Sequence, residues 1–118
     1  MDERLQRGAE LFNAGRFYTA HEIWEALWND TVGPEKLLLQ ALVQIAAGYA
    51  KVESGLRGGA VKLLTSGLQL LRQSDPSAGG LALEAFADGV AADLGRLRAM
   101  PDAAVDIDRM QVPHLRPT

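Results

Sequence analysis

The chain has 118 residues, enough for one domain with a sizeable core, and its hydrophobic (47%) and charged (23%) fractions are typical of a globular protein. A net charge of −3, spread evenly along the chain, gives no basic surface for nucleic acid or for an anionic membrane, so neither is expected as a partner. The absence of cysteine excludes disulfides, thiol nucleophiles and cysteine-based zinc sites. Because the start MDERLQRGAE is charged, unlike a signal peptide, and no apolar run is long enough to span a membrane, we expect a cytoplasmic protein.

Helical periodicity runs through almost the whole chain and predicts an all-α fold. Gly15 and Gly55 are helix-ending signals, Pro34 suits the first position of a helix, and Pro76 separates the last two helices. The predicted helices cover about residues 2–13, 17–29, 34–53, 57–73 and 81–99. The sequence therefore predicts a compact bundle of about five helices, with residues 1–100 as a single domain.

The C-terminal segment, residues 101–118, has a different pattern. It contains three prolines, and Val105 and Ile107 alternate with Asp106 and Asp108. Prolines disfavour a helix, and alternation is typical of extended chain. We expect an extended C-terminal arm that lies on the helices and has a partly disordered end.

A weak internal repeat relates the two halves of the bundle at an offset of 40 residues. The fragment LFNAGRFYTAHEIW resembles half of a tetratricopeptide repeat, in which two helices pair through a glycine turn. Because the third helix is too long for a regular array, we expect tetratricopeptide-like hairpins in a compact bundle and not a solenoid. The matching positions are Gly15 and Gly55, Ala20 and Ala60, and Trp24 and Leu64.

The stretch FYTAHEIWEALW in the second helix contains the candidate functional residues. On a helical wheel Phe17, Trp24 and Trp28 fall within about 40° of one another, and the pattern favours core packing over a ligand-stacking box for these aromatic residues. Trp28, near the helix end, is the best aromatic candidate for a partner groove. His21 and Glu25 lie one turn apart at the edge of the same face, whereas Glu22 points toward solvent. His21 and Glu25 are therefore placed to share a hydrogen bond or a ligand.

The third helix offers polar partners for this pair. A stripe on its surface contains Gln40, Gln44, the small residues Ala47 and Gly48, and Lys51. Since the rest of the helix is apolar, it is expected to be central, and its glutamines need hydrogen-bond partners there. We predict that this stripe faces the second helix and forms one polar binding cluster. Its predicted members are His21, Glu25, Trp28, Gln40, Gln44 and Lys51.

Three runs of sequence together resemble domain-of-unknown-function family 309, a family of small helical prokaryotic proteins. They are LFNAGRFYTAHEIWEALW, LLQALVQIAAGYAKVESG and LRGGAVKLL, and the resemblance covers about residues 9–74. Ala41 stands where the family often has Gly, and Lys51 where it often has His. The resemblance implies an all-helical fold and no established activity. The residues that match the family pattern are Phe12, Asn13, Gly15, Phe17, His21, Glu22, Glu25, Trp28, Gln40, Gln44, Gly59 and Ala60.

The HEIWE motif allows three interpretations. His21 and Glu25 have the spacing of two metal ligands, with Glu22 as the base of a metal-dependent hydrolase, but a catalytic zinc needs about three protein ligands. The same His21, Glu22 and Glu25 are the catalytic candidates for a metal-free acid–base site. The third interpretation, a buried His–Glu hydrogen bond that holds two helices in register, is favoured. We therefore expect neither a cofactor nor a metal, and a divalent ion at His21 and Glu25 is the alternative.

A glycine-rich segment, SGLRGGA, leads into the fourth helix and contains Arg57. Such a segment is able to bind an anion at a helix N-terminus, but no strand precedes it and no phosphate-binding motif is present. A tight turn with close helix packing is favoured. With no complete catalytic set, the chain is predicted to be a non-enzymatic helical binding or scaffold protein. Its expected partner is a protein, which includes a second copy of the same chain.

Overall fold

Five α-helices and three short 3-10 turns make up the secondary structure of residues 2–118, the part of the chain that the computed structural model describes. The predicted all-α fold is confirmed, and within this range the only β pairing is an isolated bridge between Leu81 and Pro117. No helix in the described range is both long and apolar enough to cross a membrane. The helices are α1 (Glu3–Asn13), α2 (Phe17–Asn29), α3 (Glu35–Glu53), α4 (Arg57–Gln73) and α5 (Leu83–Ala99), and the turns are Ala78–Gly80, Asp102–Ala104 and Ile107–Arg109.

Helix α3 is the centre of the bundle and packs against α2 on one side and α4 on another. Two glycines bring α3 and α4 close together. A Cβ at Gly48 would stand 2.7 Å from a methyl carbon of Leu64, and one at Gly67 would stand 2.7 Å from Ile45. Both distances are shorter than any carbon–carbon contact allows. The two helices therefore pack as closely as they do because residues 48 and 67 have no side chain.

The hairpin of α1 and α2 is repeated by the hairpin of α3 and α4. The first residue after each turn glycine, Arg16 or Leu56, donates its N–H to the carbonyl five residues earlier at 2.9 Å, which is the Schellman ending of a helix. Both turn glycines have positive φ, 80° at Gly15 and 73° at Gly55. The structure adds a further pair of equivalent positions to the repeat. A side chain at Gly8 would clash with Trp24, just as one at Gly48 would clash with Leu64.

Aromatic side chains join four of the five helices. The ring of Phe12 in α1 has its centroid 5.1 Å from Phe17, 6.0 Å from Trp24, 5.7 Å from Tyr49 and 5.5 Å from Phe86. Three of these pairs are edge-to-face, an arrangement that the ring quadrupoles favour. The prediction that Phe17 and Trp24 belong to the core is confirmed, since Trp24 is fully buried and Phe17 is 3% exposed.

The C-terminal arm, residues 101–118, lies against the helices, and its backbone is held there by hydrogen bonds at several places. The side chain of Asn13 pairs with the backbone of Leu115, donating to its carbonyl at 3.0 Å and accepting from its N–H at 2.7 Å. Farther along, Ala82 donates its N–H to the carbonyl of Arg116 at 2.8 Å. This pairing holds Leu81 in extended chain, so α5 begins at Leu83 and not at the predicted Leu81. A disordered end of the arm stays a prediction.

Asp93 of α5 is a fully buried carboxylate that links the arm to the core. It accepts hydrogen bonds from the Tyr49 hydroxyl at 2.7 Å, from Arg96 at 2.7 Å and from the backbone N–H of Gln111 at 2.8 Å. A buried carboxylate is tolerated only when such donors replace its hydration. Burial, and then the adjacent Asp93 charge, raise the pKa of Tyr49 above its ordinary value of 10.

Gly8→Ala is expected to destabilise the protein by about 1–3 kcal/mol, because the added methyl group would meet the buried indole of Trp24, whose Cδ1 lies 2.6 Å from its position. Gly95→Ala is the matched control. Gly95 lies inside α5 with open space around it, so alanine should raise the free energy of unfolding by about 0.5–1 kcal/mol. Urea unfolding of both variants measures the contrast, and equal effects would contradict the close packing of α1 on α2.

Stability is expected to fall as the pH rises above about 10. In the unfolded chain Tyr49 ionises near its ordinary pKa, whereas the folded state keeps it protonated because its pKa is raised. The contribution is therefore complete below pH 10 and is lost progressively above it. Urea unfolding of wild type and Tyr49→Phe between about pH 8 and about pH 11 tests this. The variant should be less stable at neutral pH but lose less stability in alkali, and parallel profiles would contradict the assignment.

Candidate functional site

His21 lies between α2 and α3, with each ring nitrogen facing a different group. Its Nδ1 is 3.3 Å from the backbone carbonyl oxygen of Val43, and its Nε2 is 3.6 Å from a carboxylate oxygen of Glu25. Because a carbonyl oxygen only accepts hydrogen bonds, Nδ1 carries the proton in this contact. Nε2 is thereby left to face Glu25 and the solvent. The predicted pairing of His21 with Glu25 is a loose contact at the surface, since the Glu25 side chain is 56% exposed.

Trp28 lies near the C-terminal end of α2, and Lys36 holds its side chain in place. The Lys36 ammonium lies 3.9 Å from the centre of a Trp28 ring, a cation–π contact. The same ammonium donates to the backbone carbonyls of Trp28 at 3.0 Å and Thr31 at 3.3 Å. These contacts hold the loop between α2 and α3 and set the position of the indole. The Lys36 ammonium is therefore engaged by groups of the protein itself.

A pocket of about 270 Å³ opens between α2 and α3. Glu25, Trp28 and Asn29 line it from α2, and Gln40, Val43 and Gln44 line it from α3. Val43 is also the residue that binds the His21 ring, so His21 adjoins the pocket wall. The structure therefore groups five of the six predicted cluster residues, which are His21, Glu25, Trp28, Gln40 and Gln44.

Two polar atoms of this pocket are buried without a hydrogen-bond partner. Within residues 2–118, the indole Nε1 of Trp28 and the amide Oε1 of Gln44 are the buried side-chain polar atoms in that condition. Folded proteins rarely leave such atoms unpaired, because each costs about 1–3 kcal/mol. Both side chains line the pocket between α2 and α3. Each atom has less than 1 Å² of exposed surface, so both lie within the wall of the pocket and not in its opening.

The predicted stripe on α3 does not face α2 along its whole length, which corrects one expectation. Gly48 contacts Leu64 of α4, and the Cγ and Cδ carbons of Lys51 lie 3.5 Å from where a Cβ of Gly59 would stand. Lys51 is also about 12 Å farther along the helix axis than Val43, at 1.5 Å per residue. Lys51 therefore lies against α4, away from the pocket. Glu22 is exposed on α2, as its wheel position indicates.

The HEIWE motif meets one requirement of a metal site and lacks another. His21 resembles a metal-binding histidine in one respect, because its Nδ1–H is oriented by a backbone carbonyl. However, no group of three or more His, Cys, Asp and Glu side chains in the described range is arranged to hold a metal ion. His21 and Glu25 thus supply two ligands of the roughly three that a catalytic zinc requires.

Arg57 has a structural task and does not form an anion cradle. Its guanidinium donates to the backbone carbonyls of Leu97 at 3.0 Å and Arg98 at 3.2 Å, and it lies 3.8 Å from Asp102. Both carbonyls lie in the last turn of α5, where helical carbonyls lack the usual donor four residues on, and that of Leu97 also accepts from the N–H of Met100 at 3.2 Å. The SGLRGGA segment forms the turn between α3 and α4 and the first turn of α4, in agreement with the tight turn favoured from the sequence.

Sequence reasoning missed two residues that shape the site. Lys36 is close to Trp28 in sequence, but no periodic signal connects a lysine after the loop with an indole before it. Tyr18 is 64% exposed and its ring lies 5.9 Å from that of His21. It stands three residues before His21, and this helical spacing was the available signal. Tyr18 extends the surface beyond the pocket.

Comparison with known proteins gives a family and no activity. A search among curated proteins finds no match. The family described as "Domain of unknown function (DUF309)" matches residues 5–63, which is half of the 118-residue chain. The matched part contains most of α1, all of α2 and α3 and the first turns of α4, and so includes the whole pocket. The chain belongs to the DUF309 family.

Proposed function

We propose that the protein is a small non-enzymatic binding protein on which a partner protein docks. The docking surface, called the α2–α3 face here, surrounds the pocket between these helices. One observation carries the proposal, namely an open pocket between two helices that is lined by an indole, two glutamine side chains and a carboxylate. A partner that fills the pocket would cover the exposed part of the Trp28 ring and contact the polar side chains of Glu25 and Gln40. The α2–α3 face consists of Tyr18, His21, Glu25, Trp28, Gln40 and Gln44.

The internal repeat supports this proposal. In the α3–α4 hairpin the positions equivalent to His21 and Glu25 are occupied by Val61 and Thr65. The hairpin closes with the same turn hydrogen bonds in both halves, so this geometry does not require a histidine and a carboxylate. A role in holding α1 against α2 therefore does not account for His21 and Glu25, whose contacts are with each other and with the Val43 carbonyl of α3. A role on a surface used by only one of the two hairpins accounts for them better.

Side-chain exposure also suits a docking surface. Tyr18 is a large aromatic residue that is 64% exposed, and Trp28 is only partly buried against the core. Tyrosine and tryptophan are enriched where proteins bind each other and among the residues that contribute most to affinity. Both lie on the same helix as His21 and Glu25, which provide polar contacts between them.

A metal-dependent hydrolase built on His21, Glu22 and Glu25 is the second candidate. The observation in its favour is the Nδ1–H contact with Val43, which orients Nε2 outward as in metal-binding histidines. Elemental analysis of tag-free protein incubated with zinc, iron or manganese separates the two candidates. The binding proposal predicts either no bound metal or bound metal that remains in the His21→Ala variant. About one equivalent lost in that variant would make the hydrolase the better account.

Selection from a display library of random linear peptides tests the docking surface. The full-length protein should enrich peptides that Gln44→Met no longer binds, because methionine lacks the amide that contacts the partner. This variant is expected to fold at least as stably as wild type, gaining about 1 kcal/mol, since it removes a buried acceptor that has no donor. Gln69→Met, at an exposed position on α4, is the matched control and should retain binding.

The outcomes separate the types of partner. If sedimentation finds a dimer that Glu25→Lys dissociates, the partner is a second copy of the chain and the docking surface is the same. Enrichment that Gln44→Met and Glu25→Lys leave unchanged would place binding elsewhere and contradict the proposal. A monomer that enriches no peptide would also contradict it.

A further inference from the structure

Residues 111–118 of the arm lie in a groove that holds their backbone. The groove, called the arm groove here, is formed by the end of α1, residues 80–82 and α5. Five hydrogen bonds join it to backbone atoms of the arm, and such bonds recognise an extended chain. They link Gln111 to Asp93 at 2.8 Å, Leu115 to Asn13 at 2.7 and 3.0 Å, Arg116 to Ala82 at 2.8 Å and Thr118 to Gly80 at 2.9 Å.

The arm groove also fits particular side chains. A Cβ at Gly89 of α5 would stand 2.5 Å from the Cβ of Pro113, so the absence of a side chain there lets proline pack against the helix. Two residues later, Leu115 is 2% exposed and belongs to the core. Proline suits an extended segment because its ring fixes φ. The arm groove therefore fits an extended chain with proline two residues before leucine, as in the arm sequence QVPHLRPT.

The arm is lightly anchored to the rest of the molecule. Within residues 101–118, Met110 and Leu115 are the two buried side chains. Terminal segments with so few buried contacts open at a lower free energy than the whole fold. Residues 101–109, which connect α5 to the arm groove, contain no buried side chain and would span about 30 Å when extended. This length exceeds the two shorter dimensions of the molecule, 23 and 20 Å, so a released arm can reach a neighbouring molecule.

We propose that the arm groove binds the arm of a second copy of the chain, so that two molecules exchange residues 111–118. Every contact in the groove joins residues that each copy has. An exchanged arm therefore makes the same hydrogen bonds and the same packing, and exchange of identical elements is a low-cost route to a dimer. The inference goes beyond the proposed function, since none of the residues of the α2–α3 face takes part in it.

The connecting segment determines when exchange occurs. A short flexible link keeps a molecule's own arm near its groove at an effective concentration on the order of 1 mM. At lower concentrations of the chain the arm returns to its own groove, and the protein is expected to be a monomer. Exchange becomes visible when the arm of one molecule and the groove of another are blocked.

Two full-length variants test the proposal when they are mixed. Leu115→Asp disables the arm, because the buried position of Leu115 does not tolerate a carboxylate. Gly89→Gln disables the groove, because its side chain would meet Pro113, while glutamine favours the helix over glycine. Each variant alone should be a monomer. An arm that is seated in its own molecule has a Kd below the effective concentration, so mixing both at about 1 mM should raise the average mass by about 1.4-fold or more in sedimentation equilibrium.

Gly95→Gln takes the place of Gly89→Gln in the control mixture. Gly95 lies in the same helix with open space around it, so this variant keeps its own arm seated and should form no heterodimer with Leu115→Asp. Two folded variants that stay monomeric when mixed would overturn the proposal. A heterodimer that forms equally well with Gly95→Gln would place the contact elsewhere and would overturn the proposal too.

Amide hydrogen exchange in the wild-type chain decides the question if either variant does not fold. The N–H groups of Gln111, Leu115 and Thr118 should share one protection factor, because the arm leaves the groove as a unit. It should be at least about tenfold below that of the Trp24 indole N–H, which is buried and donates to the Leu5 carbonyl at 3.2 Å. Equal protection would show that the arm leaves only when the whole protein unfolds, which would contradict exchange.

Discussion

The close contact between α3 and α4 determines where the polar groups of the bundle lie. Gly48 admits Leu64 and Gly67 admits Ile45, so α4 covers one side of α3 with apolar atoms at short range. No space for a long polar side chain is left where these residues meet, and Lys51 reaches α4 only farther along the helix, beside Gly59. The glutamines of α3, Gln40 and Gln44, therefore lie on the side toward α2. The pocket and its unpaired amide are a consequence of how tightly the opposite side of α3 is packed.

The boundaries of the helices were predictable from sequence because local signals set them. Glycine at positive φ ends α1 and α3, and periodic apolar residues define the helix interiors. The predicted beginning of α5 was wrong by two residues because Leu81 pairs with Pro117. These residues are distant in sequence, so the periodicity of the helix gives no sign of their contact. Asp93 was missed for the same reason, since two of its three donors come from α3 and from the arm.

The sequence indicated which side chains lie on the side of α3 that faces α2, but not how far along the helix the site extends. A helical wheel gives the angle of a side chain around the axis, and this angle correctly placed Gln40 and Gln44 beside Trp28 and Glu25. A helical wheel gives no position along the axis and does not show which neighbouring helix packs against a given side. Lys51 was therefore included although it lies against Gly59 of α4. Whether a polar atom finds a partner depends on tertiary packing, so the unpaired atoms became visible only in the structure.

The central claim is that the polar residues of the α2–α3 face serve binding and not the fold, and the internal repeat provides its most direct test. The double variant His21→Val and Glu25→Thr gives α2 the residues that α4 carries at the equivalent positions, Val61 and Thr65. The measurement is the free energy of unfolding in urea. The account predicts a value within about 1 kcal/mol of wild type, because the Val43 carbonyl lies within α3 and Glu25 is exposed. A loss of about 3 kcal/mol or more would show that the pair holds the helices together and would contradict the account.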